Sequence, residues 1–285
     1  GKECPPTIPS GVTVTINNAT GTSLTTATTM QGIWLVKHGV SFFLNANLNV
    51  NSSGKVQIEG NPALGGGSLI NYGGSNDTLE YIGANTFTVD GQEVSGGGPM
   101  NGTILVNKPG STVNGVASML TVNGSFLLNQ GTWNVNAGGR LLLNGSGAGR
   151  YYTTTSGTTL NVNANAILEL APNLTLTNNG ALNVAGNGAC ILNDVATVQG
   201  ANAINYQAPN AILRYVGGGN KITTPQELPP TMPGGVLVLA TPGFVTLGAS
   251  TSVFGSVTCG SVNVTPPSGG KLATNSFGLQ LNNAV

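Results

Sequence analysis

Charge is what this chain most lacks. Only 6% of its 285 residues are Asp, Glu, Lys or Arg, nine basic against nine acidic, where ordinary soluble proteins carry about a quarter. No basic patch exists to hold a phosphate backbone, which speaks against nucleic acid as a partner. Histidine occurs once, as His38. A metal site or a catalytic triad built on it lacks partners, and no cofactor is expected. The cysteines are Cys4, Cys190 and Cys259, too far apart in sequence for zinc-type spacing. One disulfide fits, Cys190–Cys259 or Cys4 with either of them, and an odd thiol remains in each case; free thiols in a β core are the plain alternative. No apolar run approaches the ~18 residues of a membrane span. No stretch shows a helical period with a capping box. The opening GKECPPTIPSG reads as a processed start, not an apolar leader. A polar but uncharged surface suits a secreted, extracellular or cell-surface protein.

What is present is a rhythm. Between Ser118 and Asp194 short apolar alternations recur with little but Asn, Gly or a small residue between them. Inward positions read as Val122, Leu128, Val135 and Leu143, then Val162, Leu168, Leu176, Val184 and Ile191. Steps of about seven to eight residues leave no room for a helix and little for a hairpin. Leu160-Asn161-Val162 returns as Leu182-Asn183-Val184, 22 residues on. The spacing predicts a right-handed parallel β-helix with three-sided coils of about 22 residues. At ~4.8 Å per coil it makes a rod of roughly eleven coils, ~50 Å long. Paired antiparallel sandwiches come second, because their strands recur at wider spacing. Asn49, Asn134, Asn161, Asn183 and Asn263 share one frame. They predict amide ladders running from coil to coil, with outward solvated Asn as the competing reading.

Residues 1–30 are expected to be a short irregular entry and assembly segment, since Pro5, Pro6 and Pro9 oppose regular pairing. The β-helix then fills 31–285 and contains one module twice, at about 68–140 and 202–265. NYGGSNDTLEYIGANTFTVDGQEV (71–94) aligns without a gap on NYQAPNAILRYVGGGNKITTPQEL (205–228). Tyr72 falls on Tyr206, Tyr81 on Tyr215 and Gln92-Glu93 on Gln226-Glu227.

That module, a strand ending LxY(I/V)G, a Gln-Glu hook, a Pro-containing loop and an ILV/VLV strand near 104–106 and 236–238, resembles repeats of secreted Bacteroidota proteins exported by the type IX system. The resemblance implies a β-helix surface or adhesin-like protein and brings no catalytic residues. It also implies O-glycosylation at Thr78 within Asp77-Thr78-Leu79.

Enzymatic β-helices need acid pairs about 5–10 Å apart. Only Asp77 with Glu80 and Asp90 with Glu93 are local pairs. The first would point to opposite faces of a strand; the second could meet across Gly91, but Thr224 stands where Asp90 would recur. No enzyme is therefore expected. Thr-x-Thr recurs too irregularly for an ice-binding face. A β-helix has two open ends, so the leading expectation is a structural protein that self-assembles into a filament, sheath or matrix, with itself as partner. Cys4, Val12, Val14 and Ile16 at one end and Phe277, Leu279 and Leu281 at the other would carry the contact. The alternative is a monomeric adhesin for surface polysaccharide or host, with Tyr151 and Tyr152 as its glycan patch. A polysaccharide-degrading enzyme is the third.

Overall fold

The computed structural model describes residues 4–18, 21–94, 98–145, 149–207, 209–232, 235–240, 244–253, 257–259, 271–273 and 279–281, the last three segments by main chain alone. It is an all-β parallel solenoid of about 10 turns spaced about 22 residues apart, with no helix among the described residues. Every ladder among the described residues is parallel: Thr13–Ile16 pairs Ile33–Val36, which pairs Lys55–Glu59, which pairs Thr78–Ile82. This ladder belongs to a 13-stranded sheet that forms the second side of the coils as far as Thr197–Gln199 and, further along, part of the third. The first side is a four-stranded sheet, Thr7–Ile8 to Ile70–Tyr72, continued in coil order by a seven-stranded sheet from Met119–Val122 to Val257–Cys259.

Parallel stacking puts like residues on top of like. Inside the first side run Val122, Leu143, Leu170, Leu192, Tyr215 and Leu239, each on the next and each buried. Inside the third run Val135, Val162, Val184 and Tyr206. The expected inward list holds except at its end. Ile191 faces outward and half-exposed, while Cys190 and Leu192 point in. The register is unbroken: Cys190 and Leu192 stack on inward Leu168 and Leu170, and Ile191 stacks on outward Glu169, so strand alternation puts Ile191 on the outer face.

Corners use Asn for its tolerance of left-handed backbone. Asn165, Asn173, Asn187 and Asn210 all have φ near +60°. Along the third side an amide ladder runs Asn114, Asn134, Asn161, Asn183, Asn205, each later Nδ2 donating to the earlier Oδ1 at 2.8–3.0 Å. Shorter ladders join Asn71 to Asn49 and Asn144 to Asn123 to Asn101. Asn263 lies outside the described residues.

The entry segment is corrected. Thr7–Ile8, Thr13–Ile16 and Thr22–Leu24 already form a first coil, in register with Thr29–Met30, Ile33–Val36 and Phe42–Leu44. Pro5, Pro6 and Pro9 flank a two-residue strand and remove no ladder bond from it, which an edge tolerates.

The three outer faces differ. The third side shows mainly Thr and Asn, with Phe43 exposed near its start, and the second shows Thr and ion pairs such as Lys55–Glu80 at 2.9 Å between Leu35, Leu105 and Leu127. The seven-stranded side shows mostly aliphatic residues between Arg140, Glu169 and Arg214.

Asn161 both donates and accepts in the ladder, whereas Asn205 makes a single ladder bond. Asn161→Ala should lower unfolding free energy by ~1–2 kcal/mol and Asn205→Ala by about half that, read from urea midpoints; equal effects would show that the ladder carries no energy.

Candidate functional site

At the first coil, Ile8 and Leu24 are fully buried, but Val14 and Ile16, which also point inward, are only half-buried. Val12 is 42% exposed. Cys4 is a half-buried free thiol packed against the same core. Among the described residues, the three strands of this coil pair on one side only. At the far end, the main chain of Leu279–Leu281 pairs with Thr251–Val253 and that of Lys271–Ala273 with Phe244–Thr246. Phe277 lies outside the described residues.

The expected tyrosine patch is not formed. Tyr151 is 64% exposed, but Tyr152 is buried, and its Oη donates to the Gly145 carbonyl at 2.9 Å. Consecutive residues of a strand point to opposite faces, so the two cannot present one surface. Trp34, Trp133, Tyr81 and Tyr215 are core residues. Thr78 sits half-buried within its strand. Asp77 before it is buried and accepts from the amides of Gly74 at 2.7 Å and Ser53 at 3.0 Å. It is a turn cap, not half of an acid pair, while Glu80 faces outward to Lys55 and Gln57.

The proposed Cys190–Cys259 bridge is also corrected. Cys190 is a free, buried thiol. Its register runs through Leu213 and Leu237 to the strand of Cys259, three rungs on. At ~4.8 Å per rung that is ~14 Å, twice the ~7 Å between Cα atoms that a disulfide spans. Burial, with the Glu227 carboxylate adding to it, pushes the Cys190 thiol up to about 12, so it is no nucleophile at neutral pH.

The repeated module builds a buried polar cluster twice. In the first copy Tyr72 Oη donates to the Glu93 carbonyl at 3.0 Å, and Glu93 Oε1 accepts from the Asp90 amide at 3.2 Å. In the second, Tyr206 Oη donates to the Glu227 carbonyl at 2.9 Å. There Tyr215 Oη reaches Glu227 Oε1 at 3.2 Å, and the Val198 amide reaches Oε2 at 3.1 Å. Glu93 and Glu227 are both fully buried. The copies differ in charge. Lys221, which falls where Phe87 stands in the first copy, pairs with Glu227 at 3.2 Å and lies 5.3 Å from the Tyr215 ring centre. Among the described residues Glu93 meets no cation, and its Oε2 and the Tyr81 hydroxyl find no hydrogen-bond partner. Burial therefore holds the Glu93 carboxyl well above the usual range, with Asp90 adding to the push. Burial also raises Glu227, against which Lys221 pulls down. The gapless alignment of Tyr72, Tyr81 and Glu93 on Tyr206, Tyr215 and Glu227 was the sequence signal for this cluster. The burial was not legible, because Gln-Glu between turn residues reads as solvated.

Beside the first hook an open groove of about 480 Å³ lies between residues 89–94 and 116–120. Asp90 is its one charged lining residue; Glu93 is inaccessible beneath it. The pair therefore does not offer two carboxyls to a sugar, as glycoside hydrolysis requires. His38 is an exposed corner residue whose Nδ1 accepts from the Asn61 amide at 3.1 Å. No group of three metal-binding side chains occurs among the described residues. None of their helices is long and apolar enough to cross a membrane. Set against protein-family models, curated proteins and solved structures, the chain matches none.

Glu93 binds its proton more tightly folded than unfolded. Stability from it is full below the unfolded carboxyl range, near 4.5, and falls as pH rises toward the raised folded value, by up to ~1.4 kcal/mol per pH unit. Glu93→Gln should flatten this decline between pH 5 and 8 in denaturation curves, and an unchanged pH slope would contradict it.

Proposed function

We propose that this protein is an extracellular structural solenoid whose copies join end to end into a filament, sheath or matrix. The observation that carries the reading is the first coil. Its main-chain edges are unpaired among the described residues, and its inward Val14 and Ile16 remain half-buried. A rung from a second copy would complete both, the main chain supplying affinity as in strand addition. The far end offers the same parallel geometry, so contact is head to tail and does not close. Zero formal net charge leaves little repulsion between copies. Secretion to the cell surface accords with the type IX resemblance.

The groove beside residues 89–94 and the exposed Tyr151 favour a second reading, an adhesin for surface polysaccharide. Binding on a glycan array that falls with Tyr151→Ala would support it.

Electron microscopy and light scattering of the purified protein test the first. Wild type should form rods longer than one molecule; Val14→Lys with Ile16→Lys should leave single rods of unchanged circular dichroism. Monodisperse wild-type particles at high concentration would refute end-to-end joining.

A further inference from the structure

The seven-stranded side carries an outward column Leu142, Glu169, Ile191, Arg214, Val238, one residue per rung. Beside it, Ile167, Ala189 and Ile212 form a second column on the three central rungs. All of these are half-buried except Ala189, which is buried. The second side also turns Leu35, Leu105 and Leu127 outward, but Gln57 and Glu80 interrupt that column between Leu35 and Leu105. Two cations sit in the seven-stranded face, Arg140, which pairs with Glu169, and Arg214. Arg214 Nε has no hydrogen-bond partner, and the strands on either side place Ile191 and Val238 against it. Glu169 lies two rungs away, held by Arg140 and by Asn193 at 3.0 Å.

The order of the column is self-complementary about its middle. A two-fold axis lying along the strand at the Ile191 rung reverses the rungs and leaves each column facing itself. Ile191 then meets Ile191, Leu142 meets Val238, and Glu169 meets Arg214 on both sides of the axis. In the second column Ala189 meets Ala189 and Ile167 meets Ile212, and one rung further out Arg140 meets Val236. Such facing columns suit two flat sheets packed ~10 Å apart. We propose that this face docks a second copy of the chain, antiparallel and side by side, with Glu169 and Arg214 forming two symmetric ion pairs across an isologous interface.

Seven strands, ~4.8 Å apart and four or five residues long, span roughly 30 by 15 Å. That is ~450 Å² per partner, below the ~800 Å² of a standard interface, so dimers should be weak and depend on concentration. This contact uses no residue of the end-joining surface and does not depend on it.

Sedimentation velocity across a concentration series, in the Val14→Lys, Ile16→Lys background, isolates lateral from end-to-end association. The unmodified face should give a monomer–dimer equilibrium. Arg214→Glu alone and Glu169→Arg alone should each weaken it about tenfold or more through like charges. An equimolar mixture of the two single variants should restore dimers, because each then meets its opposite. Circular dichroism checks that both variants stay folded. A monomer at every loading, or a mixture no tighter than its components, would overturn the proposal. So would binding of the unmodified protein to an insoluble polysaccharide with no dimer in solution, which would give the face to another occupant.

Discussion

The main-chain ladder between successive coils governs the rest of this molecule. Parallel pairing leaves every strand short of partners until another rung is laid on it, and the register of Asn134 on Asn161 on Asn183 repeats without a slip. Once register is fixed, side chains have no freedom of neighbour: each stacks on the residue at its own place one coil away. Inside, this makes continuous columns of Leu and Val that exclude water, at ~25 cal/mol per Å² of apolar surface buried. Outside, it makes chains of amides, because an Asn that donates upward and accepts downward meets the same group in both directions. The same repetition magnifies error, since a single slip turns an interior column to solvent along a whole strand.

The duplicated module shows how much local chemistry this scaffold tolerates. Its two copies occupy different sides of the prism: Thr78–Ile82 lies in the 13-stranded sheet and Ile212–Val216 in the seven-stranded one. A module can therefore be shifted by one side and still find its rungs. Both copies carry a glutamate into the core under two tyrosines, and each meets the desolvation cost differently. Lys221 neutralises Glu227 and is itself pushed below its usual range by burial. At Glu93 burial, with Asp90 adding to it, instead raises the carboxyl's hold on its proton well above the usual range. Replacing Phe87 by Lys221 between copies thus exchanges a buried acid for a buried ion pair, and neither form exposes a reactive group.

Sequence made the coil length, the Asn ladders and the module legible because each depends on spacing, which the chain states outright. The exceptions depend on three-dimensional surroundings. Prolines at 5, 6 and 9 oppose pairing only if a strand runs through them, and the strand there is two residues long. Tyr151 and Tyr152 look alike as letters, yet strand alternation buries one of them. Ile191 belongs to the apolar rhythm, and only the register that lays it on Glu169 shows that it faces outward. The Glu93 and Glu227 hooks read as polar turns, and their burial follows from tyrosines that arrive from a neighbouring coil. The assembly residues divide in the same way: Val14 and Ile16 follow from inward alternation, but only the structure leaves them half-covered.

Ends and sides have different powers of selection. An open rung offers main-chain donors and acceptors that any parallel strand of similar length satisfies, so end-to-end joining by itself distinguishes partners poorly. Discrimination has to come from side chains placed where a wrong partner leaves a charge unpaired. With so few charges in the chain, their positions carry unusual weight. Several are already paired within one molecule among the described residues, as Lys37 is by Glu59 at 2.5 Å, Lys55 by Glu80 and Lys221 by Glu227. Arg214 has no such intramolecular ion pair among the described residues, and it stands in the centre of the aliphatic face. A rod that elongates through its backbone and selects its neighbour through Glu169 and Arg214 would separate the two tasks, length from the ends and identity from the side.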